Sequence, residues 1–303
     1  MARPSHASPG EKVWHTCYLV ICGLVFLFLI APIIVIIPLS FNAEPYFTFT
    51  QEMVTFDPKG YSLRWYDRIL THDMANPEIP RGDAWWRDAW NNAQWINAAK
   101  NSAIIGIAST LVATILETTA ALGLSRPEMP LRRVIMALLI SPMIVPLIIT
   151  ATGLFFFYSA IGLAHTYAGI ILAHAMLGIP FVIITVTATL SCFDHSLTHA
   201  AVSLGATPFI TFRRIILPLF LPSVISGALF AFVTSFDEVV VVLFVASYDQ
   251  QTIPLQMWNG IREQISPTIL AVATILVIFS IILLTTIELL RRRAERLRGV
   301  TPG

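Results

Sequence analysis

Asp194-His195-Ser196-Leu197-Thr198-His199-Ala200-Ala201-Val202-Ser203-Leu204-Gly205-Ala206-Thr207-Pro208, running on into Phe209-Ile210-Thr211-Phe212-Arg213-Arg214-Ile215-Ile216-Leu217-Pro218-Leu219-Phe220-Leu221-Pro222, is a polar, basic island between two long apolar segments. Asp194 is placed to N-cap a helix, where a short acceptor side chain takes up a free backbone N–H. Leu197, Ala201 and Leu204 recur at helical spacing and give that helix one apolar stripe. Gly205 stands where a left-handed residue would end it. Thr207 is a good cap for a second helix, and Pro208, with φ already fixed, suits its first position. Pro218 and Pro222 are expected to break or kink this second helix as it turns back into the apolar region.

Working outward, the composition fixes the solvent. The chain has 303 residues, 56% of them hydrophobic and only 12% charged. Apolar runs of about 20 residues, the length that crosses a bilayer as a helix, recur along it. Six are expected: Trp14 to Leu39, Ala98 to Leu124, Val134 to Tyr158, Tyr167 to Leu190, Ser223 to Ala246, and Pro267 to Leu290. The first is longer than the roughly 7–15-residue core of a cleaved signal peptide, so it reads as a retained span. No strand pattern competes, and the runs are too long and too uniformly apolar for barrel strands. The fold class is all-α integral membrane. Pro32, Pro38, Pro142, Pro146 and Pro180 lie within these runs and suggest kinked or broken helices. Cys17, Cys22 and Cys192 show no disulfide or metal spacing.

Charge sets the orientation. With six spans, four basic clusters share one side: Arg3 and Lys12; Arg126, Arg132 and Arg133; Arg213 and Arg214; and Arg291, Arg292, Arg293, Arg296 and Arg298. By the positive-inside rule that side is cytoplasmic, together with both termini and the central island. Residues 41–97, with eight acidic and five basic side chains, fall on the opposite side. Within them Leu63, Tyr66 and Leu70 are expected to share a membrane-surface helical face beside Trp65. Trp85, Trp86, Trp90 and Trp95 read as an interfacial belt. The net charge of +1 gives no general attraction to nucleic acid.

Ionisable residues at membrane depth are costly and therefore candidates for function. Asp237 and Glu238 lie about 14 residues, or roughly 21 Å, into the fifth run. Two carboxylates there could hold a cation in a pathway, with Thr234 and Ser235 adding oxygen ligands; a structural role, one acid capping a helix break, stands beside that reading. Glu117 is expected to hydrogen-bond a neighbouring helix, and His174 to be a packed histidine with one partner. His195 and His199 share a helical face but lack a third ligand, so no metal is expected. Trp258 reads as an interfacial anchor. No Gly-Lys dipeptide occurs, so there is no P-loop and no ATP binding of that kind in this chain. Neither a nucleophile–base pair nor a zinc set is visible, so the chain is not read as an enzyme. An ion-coupled secondary transporter is the rival reading, though six spans without an evident repeat suit it poorly.

The island resembles the coupling motif of ABC-importer permeases: Glu-Ala-Ala, three residues, Gly, nine residues, Ile, one residue, Leu-Pro. Ala200, Ala201, Gly205, Ile215, Leu217 and Pro218 stand at the matching places, while His199 replaces the glutamate. Phe230 to Val240, and Ile253 to Trp258 with Ile265 to Ile269, further resemble the second permease subunit of spermidine/putrescine-type systems. Related permeases import opines and amino-acid-like solutes. The resemblance implies a type-1 permease core over 97–290, preceded by 1–96 and followed by a basic tail, 291–303; residues 71–92 look like an insertion. It further implies an ATPase dimer that binds the ATP, a second permease subunit and a periplasmic solute-binding protein, in a bacterial inner membrane.

Overall fold

The structure is a computed structural model that describes residues 9–126, 128–191, 193, 196–263 and 266–297. Cys192, Asp194 with its expected cap, and His195 lie outside the described residues. The chain forms two compact units, Met1–His72 with Gly260–Gly303, and Asp73–Asn259. Among the described residues it is helical, with one isolated bridge between Asn42 and Tyr61. Among the described residues five helices are long and apolar enough to span a membrane, and there are six if the bent pair counts as one span.

The first unit holds α1 (Pro9–Leu39), α2 (Gln51–Val54), α3 (Arg64–Thr71) and α14 (Thr268–Leu297), with α13 (Ile253–Glu263) crossing its boundary. Both α1 and α3 pack on α14. Asn42 organises the turn after α1: its Nδ2 donates to the carbonyls of Tyr46 and Thr48 at 2.9 Å. Its own backbone carbonyl accepts the Trp65 indole N–H at 2.7 Å. This bond corrects the expected face of α3. Trp65 is the buried residue and Leu63 is exposed, because the indole can bury its body only where its N–H finds an acceptor.

The second unit begins with α4 (Asp83–Asn92), which folds against α5 (Gln94–Leu124). Trp85 and Ala89 face inward and Trp86 and Trp90 outward, as spacings of four along a helix require. Of the four tryptophans expected to form a belt, Trp86 and Trp90 are exposed, and Trp85 and Trp95 are buried within the chain. Next come α6 (Arg132–Ile140), α7 (Leu147–Ile161), α8 (Tyr167–Ser191), α9 (Ser196–Ser203), α10 (Pro208–Thr211), α11 (Leu217–Phe236) and α12 (Val240–Val245).

The proline expectations resolve differently: Pro32, Pro38 and Pro180 lie inside continuous helices, while other prolines mark breaks. The third run is not one helix: after a 3-10 turn at Ser141–Met143, α7 leaves at 99° to the preceding segment. Pro142 and Pro146, four apart, each remove a backbone donor, so the ladder cannot be carried across them. The fifth run is likewise interrupted, at Asp237–Val239. Pro218 and Pro222, by contrast, do not end their helix. A π-helical stretch at Phe212–Ile216 precedes them, in which the Leu217 N–H reaches back to the Phe212 carbonyl. Pro218 then falls in the first turn of α11, where a missing backbone donor costs least, and Pro208–Phe236 stays one span.

The core of this unit is the packing of α5, α8 and α11. Lipid supplies little drive for apolar contact between helices, so association depends on close approach at small residues. A Cβ on Gly178 would lie 3.0 Å from the Ala231 Cβ and 3.3 Å from the Ala113 Cβ. One on Gly227 would lie 2.8 Å from the Val182 Cα. Hydroxyls stitch the same surfaces together, with Thr189 and Ser223 sharing a short bond.

At Gly227 the obstacle is backbone, which cannot rotate away. Gly227→Val is expected to destabilise the purified protein by about 1–3 kcal/mol or prevent its accumulation, as overpacking does. Gly123→Ala, where a Cβ meets nothing within 4 Å, is expected to be neutral or stabilising. Thermal unfolding in one detergent, followed by size-exclusion chromatography, compares the two.

Candidate functional site

The break in the fifth span is built by its own acids. When α11 stops at Phe236 and α12 starts at Val240, the first N–H groups of α12 lose their intrahelical partners. Glu238 supplies the substitute: Oε1 accepts from the Val240 N–H at 2.7 Å, and Oε2 from those of Val241 at 2.8 Å and Val242 at 3.3 Å. A negative charge at a helix N-terminus is favoured by the helix dipole as well as by the bonds. Glu238 is buried at 6% exposure, and its Oε2 lies 3.6 Å from Nε2 of His174. His174, on α8, is itself buried and places Nδ1 2.8 Å from the Ser235 hydroxyl. The Ser109 hydroxyl of α5 lies 2.9 Å from that of Ser235, so the polar chain runs from α5 through α11 to α8.

Asp237 stands beside this network and differs from it. It is exposed, and with Thr234 it lines a cavity of about 730 Å³. The opposite wall comes from the other break, Pro142 through Leu147, with Leu177 and Phe181 of α8. The two interrupted spans thus meet at one cavity, and a carboxylate and a hydroxyl are its polar features on α11. Of the four residues expected to share this site, Asp237 and Thr234 face the opening. Glu238 touches its wall but directs its oxygens into α12. Ser235 is a correction: it points into the α5–α8–α11 packing, because successive residues on a helix face directions about 100° apart. The proline pair at 142 and 146 was a visible signal of a break, but sequence did not say that it faced Asp237.

Glu117 is a second correction. It is buried on the α5 stripe that carries Ala113 and Ala121, and its Oε2 meets no donor among the described residues. The expected bond to a neighbouring helix is absent there, since that stripe packs through small apolar residues.

The island at 196–218 forms a short helix, a left-handed turn and a second helix. Gly205 has φ +81°, which a side chain would strain. Thr207 accepts the Ile210 N–H at 3.4 Å, with Pro208 at the first helical position. Ala201 is buried within the chain, while His199 and Ala200 are exposed. Leu204, from the expected apolar stripe, is 88% exposed, and Val202, Phe209 and Ile210 are exposed as well. Ile215 and Leu217 are half-buried and Pro218 is exposed.

Residues 118–296 match the family described as "Binding-protein-dependent transport system inner membrane component". The chain belongs to this family. The spermidine/putrescine transport system permease protein PotC of Haemophilus influenzae is 30% identical over 270 residues, covering 89% of this chain and 94% of that protein. The putrescine transport system permease protein PotI of Escherichia coli is 29% identical, covering 85% of this chain and 84% of that one. A solved structure described as a bacterial ABC transporter involved in the import of the acidic polysaccharide alginate superposes with a TM-score of 0.70 at 16% identity. It covers 94% of this chain and 99% of its own, so the two share a fold. As a member of the inner membrane component family, the chain is a multi-pass transport permease subunit.

The two neighbouring acids should separate by variant. Glu238→Ala leaves three buried N–H groups of α12 unmatched, at about 1–3 kcal/mol for each buried donor left bare. It is expected to lower thermal stability sharply, and uptake with it. Asp237→Asn should leave the unfolding temperature unchanged and alter only transport, measured in the same preparation.

Proposed function

We propose that the chain is one of two permease subunits of an ATP-driven importer and forms half of the pathway for a small organic cation, a polyamine such as putrescine or spermidine. The similarity to PotC over 94% of that protein's length carries this reading. Asp237 at the cavity supports it chemically: a carboxylate beside the Thr234 hydroxyl suits a group with only N–H donors to offer. On this reading 97–290 is the permease core, 1–96 an N-terminal addition and 291–303 a basic tail. Both termini and the 196–218 island face the cytoplasm, in keeping with the four basic clusters on one side.

The partners follow from what the chain lacks and what it exposes. With no P-loop, it draws on an ATPase dimer for hydrolysis. The docking surface for that dimer is the helix with His199, Ala200 and Ala201, closed by Gly205 and backed by Ile215, Leu217 and Pro218. Its exposed Val202, Leu204 and Phe209 are apolar side chains in want of a cover. The second permease subunit completes the cavity, and a periplasmic solute-binding protein delivers the cargo. ATP binding closes the ATPase pair, the docked helices move, and the cavity opens alternately to either side of the membrane.

Two measurements test this. Purification in mild detergent is expected to bring along a P-loop ATPase and a second multi-span permease; a chain that purifies alone would favour ion-coupled transport. In intact cells, uptake of labelled putrescine or spermidine should cease on ATP depletion and survive an uncoupler. Leu204→Glu is expected to release the ATPase and abolish uptake while the permease itself still accumulates in the membrane.

A further inference from the structure

The second piece of the broken fifth span, α12, is only six residues long, about 9 Å. A helix that short is not stable on its own bonds and must be held by its surroundings. Val241, Val242 and Val245 are fully buried in one cluster with Ile105 of α5, Ala151 and Tyr158 of α7, and Ile170 and Ala173 of α8. Glu238 caps the near end. We propose that Asn101 is a positioning residue for transport: it clamps the far end of the span to α5, so that α12 stays a fixed wall of the Asp237 cavity while access to that cavity changes.

Asn101, on α5, is buried. Its Nδ2 donates to the backbone carbonyls of Asp249 at 2.8 Å and Gln251 at 2.9 Å, in the turn that follows α12. Its Oδ1 accepts the hydroxyl proton of Tyr167, the first residue of α8, at 2.8 Å. One side chain thus joins α5, α8 and the turn. Beside it Ser102 Oγ accepts the Ile253 N–H at 2.9 Å, which ties down the start of α13. A second set of bonds closes the same turn from the α8 side. The His165 N–H donates to the carbonyl of Val245, the last residue of α12, at 2.9 Å. The His165 carbonyl in turn accepts from Gln250 Nε2 at 3.1 Å, and Gln250 Oε1 takes the Ser247 N–H and hydroxyl at 2.9 Å.

The geometry asks for asparagine in particular. Two carbonyls can only accept, so the atom facing them must carry two hydrogens, and the atom facing the tyrosine must accept. Aspartate has the same size but would set an oxygen against both carbonyls. The consequence lies at the cavity, which Val239 and Val240 line beside Asp237. On the proposed function, solute then passes beside α12 and does not enter by lifting it.

The test uses the purified transporter complex, with hydrogen exchange followed at the backbone amides of 247–256, first without nucleotide and then with ATP trapped by vanadate. Exchange is expected to be slow and equal in the two states. Asn101→Asp should speed it about tenfold in both, the scale of a buried hydrogen bond lost. Tyr167→Phe keeps both carbonyl bonds and should speed it less. Faster exchange in one nucleotide state of the unaltered complex would mean that the clamp opens during the cycle, and would overturn the proposal. Uptake per ATP hydrolysed, in proteoliposomes with the binding protein, separates positioning from mere stability. Asn101→Asp should lower that ratio about fivefold, the low end of a coupling effect, with hydrolysis retained; an unchanged ratio would leave Asn101 a structural residue only. A cysteine pair, Ser102→Cys with Thr252→Cys in a chain whose Cys17, Cys22 and Cys192 are replaced by alanine, locks the clamp on oxidation. Oxidised and reduced pairs are expected to take up putrescine equally. A pair that does not close in the resting complex, or that stops uptake until it is reduced, counts against the clamp. No putrescine uptake by the unaltered complex would count against the polyamine reading alone, and the exchange result, which needs no solute, would then decide the clamp.

Discussion

A backbone N–H buried in a bilayer must find an acceptor, because no water is there to serve. The rest of this structure depends on how that requirement is met at Asp237–Val239. A helix interrupted at membrane depth exposes the donors of its next turn, and only a carboxylate with two free oxygens can collect three at once. Glu238 does so at 2.7, 2.8 and 3.3 Å. The break it makes tolerable turns the neighbouring Asp237 out into the cavity. One acid of the pair is consumed by architecture so that the other is available for chemistry. His174, Ser235 and Ser109 extend the support across α8 and α5, which fixes the break to the most tightly packed part of the chain.

The same requirement explains why prolines with similar local chemistry end differently. Between Pro142 and Pro146 a 3-10 turn replaces the α-helical ladder, and the chain folds at 99°. Pro218 falls in the first turn of α11, directly after the π-helical stretch, where a missing backbone donor costs least, and the span continues.

What could be read from the sequence follows from which signals are local. Span number, the left-handed Gly205, the Thr207 cap and the helix–turn–helix of the island are set by neighbours in sequence, and all are present. Side-chain direction is set by neighbours in space, and there the reading faltered. Ser235 was grouped with Thr234, although one residue along a helix is enough to turn it from the cavity to the core. Trp65 stands beside the expected α3 face in the sequence, yet it is the buried residue of that helix. The sequence offers one acid of the pair as a cap on a helix break, but which acid caps depends on three N–H groups whose freedom exists only once the helix is broken.

These pieces bear on how force could cross the membrane. Pro208–Phe236 is one helical span of 29 residues, roughly 43 Å from end to end. One end follows the island on which the ATPase is proposed to dock, and the other stops at the break that carries Asp237. Had Pro218 and Pro222 ended the helix, displacement at the island would have been lost in a flexible joint two turns later. Because the π-turn preserves continuity, a tilt imposed at Ala201 and Gly205 is delivered as a tilt at Phe236. At its far end the span meets the Glu238-capped break, where α12 begins as a separate helix held by its own cap. On the proposed function, a displacement at the island would reach Asp237 through this one span, and the cap would let α12 keep its place.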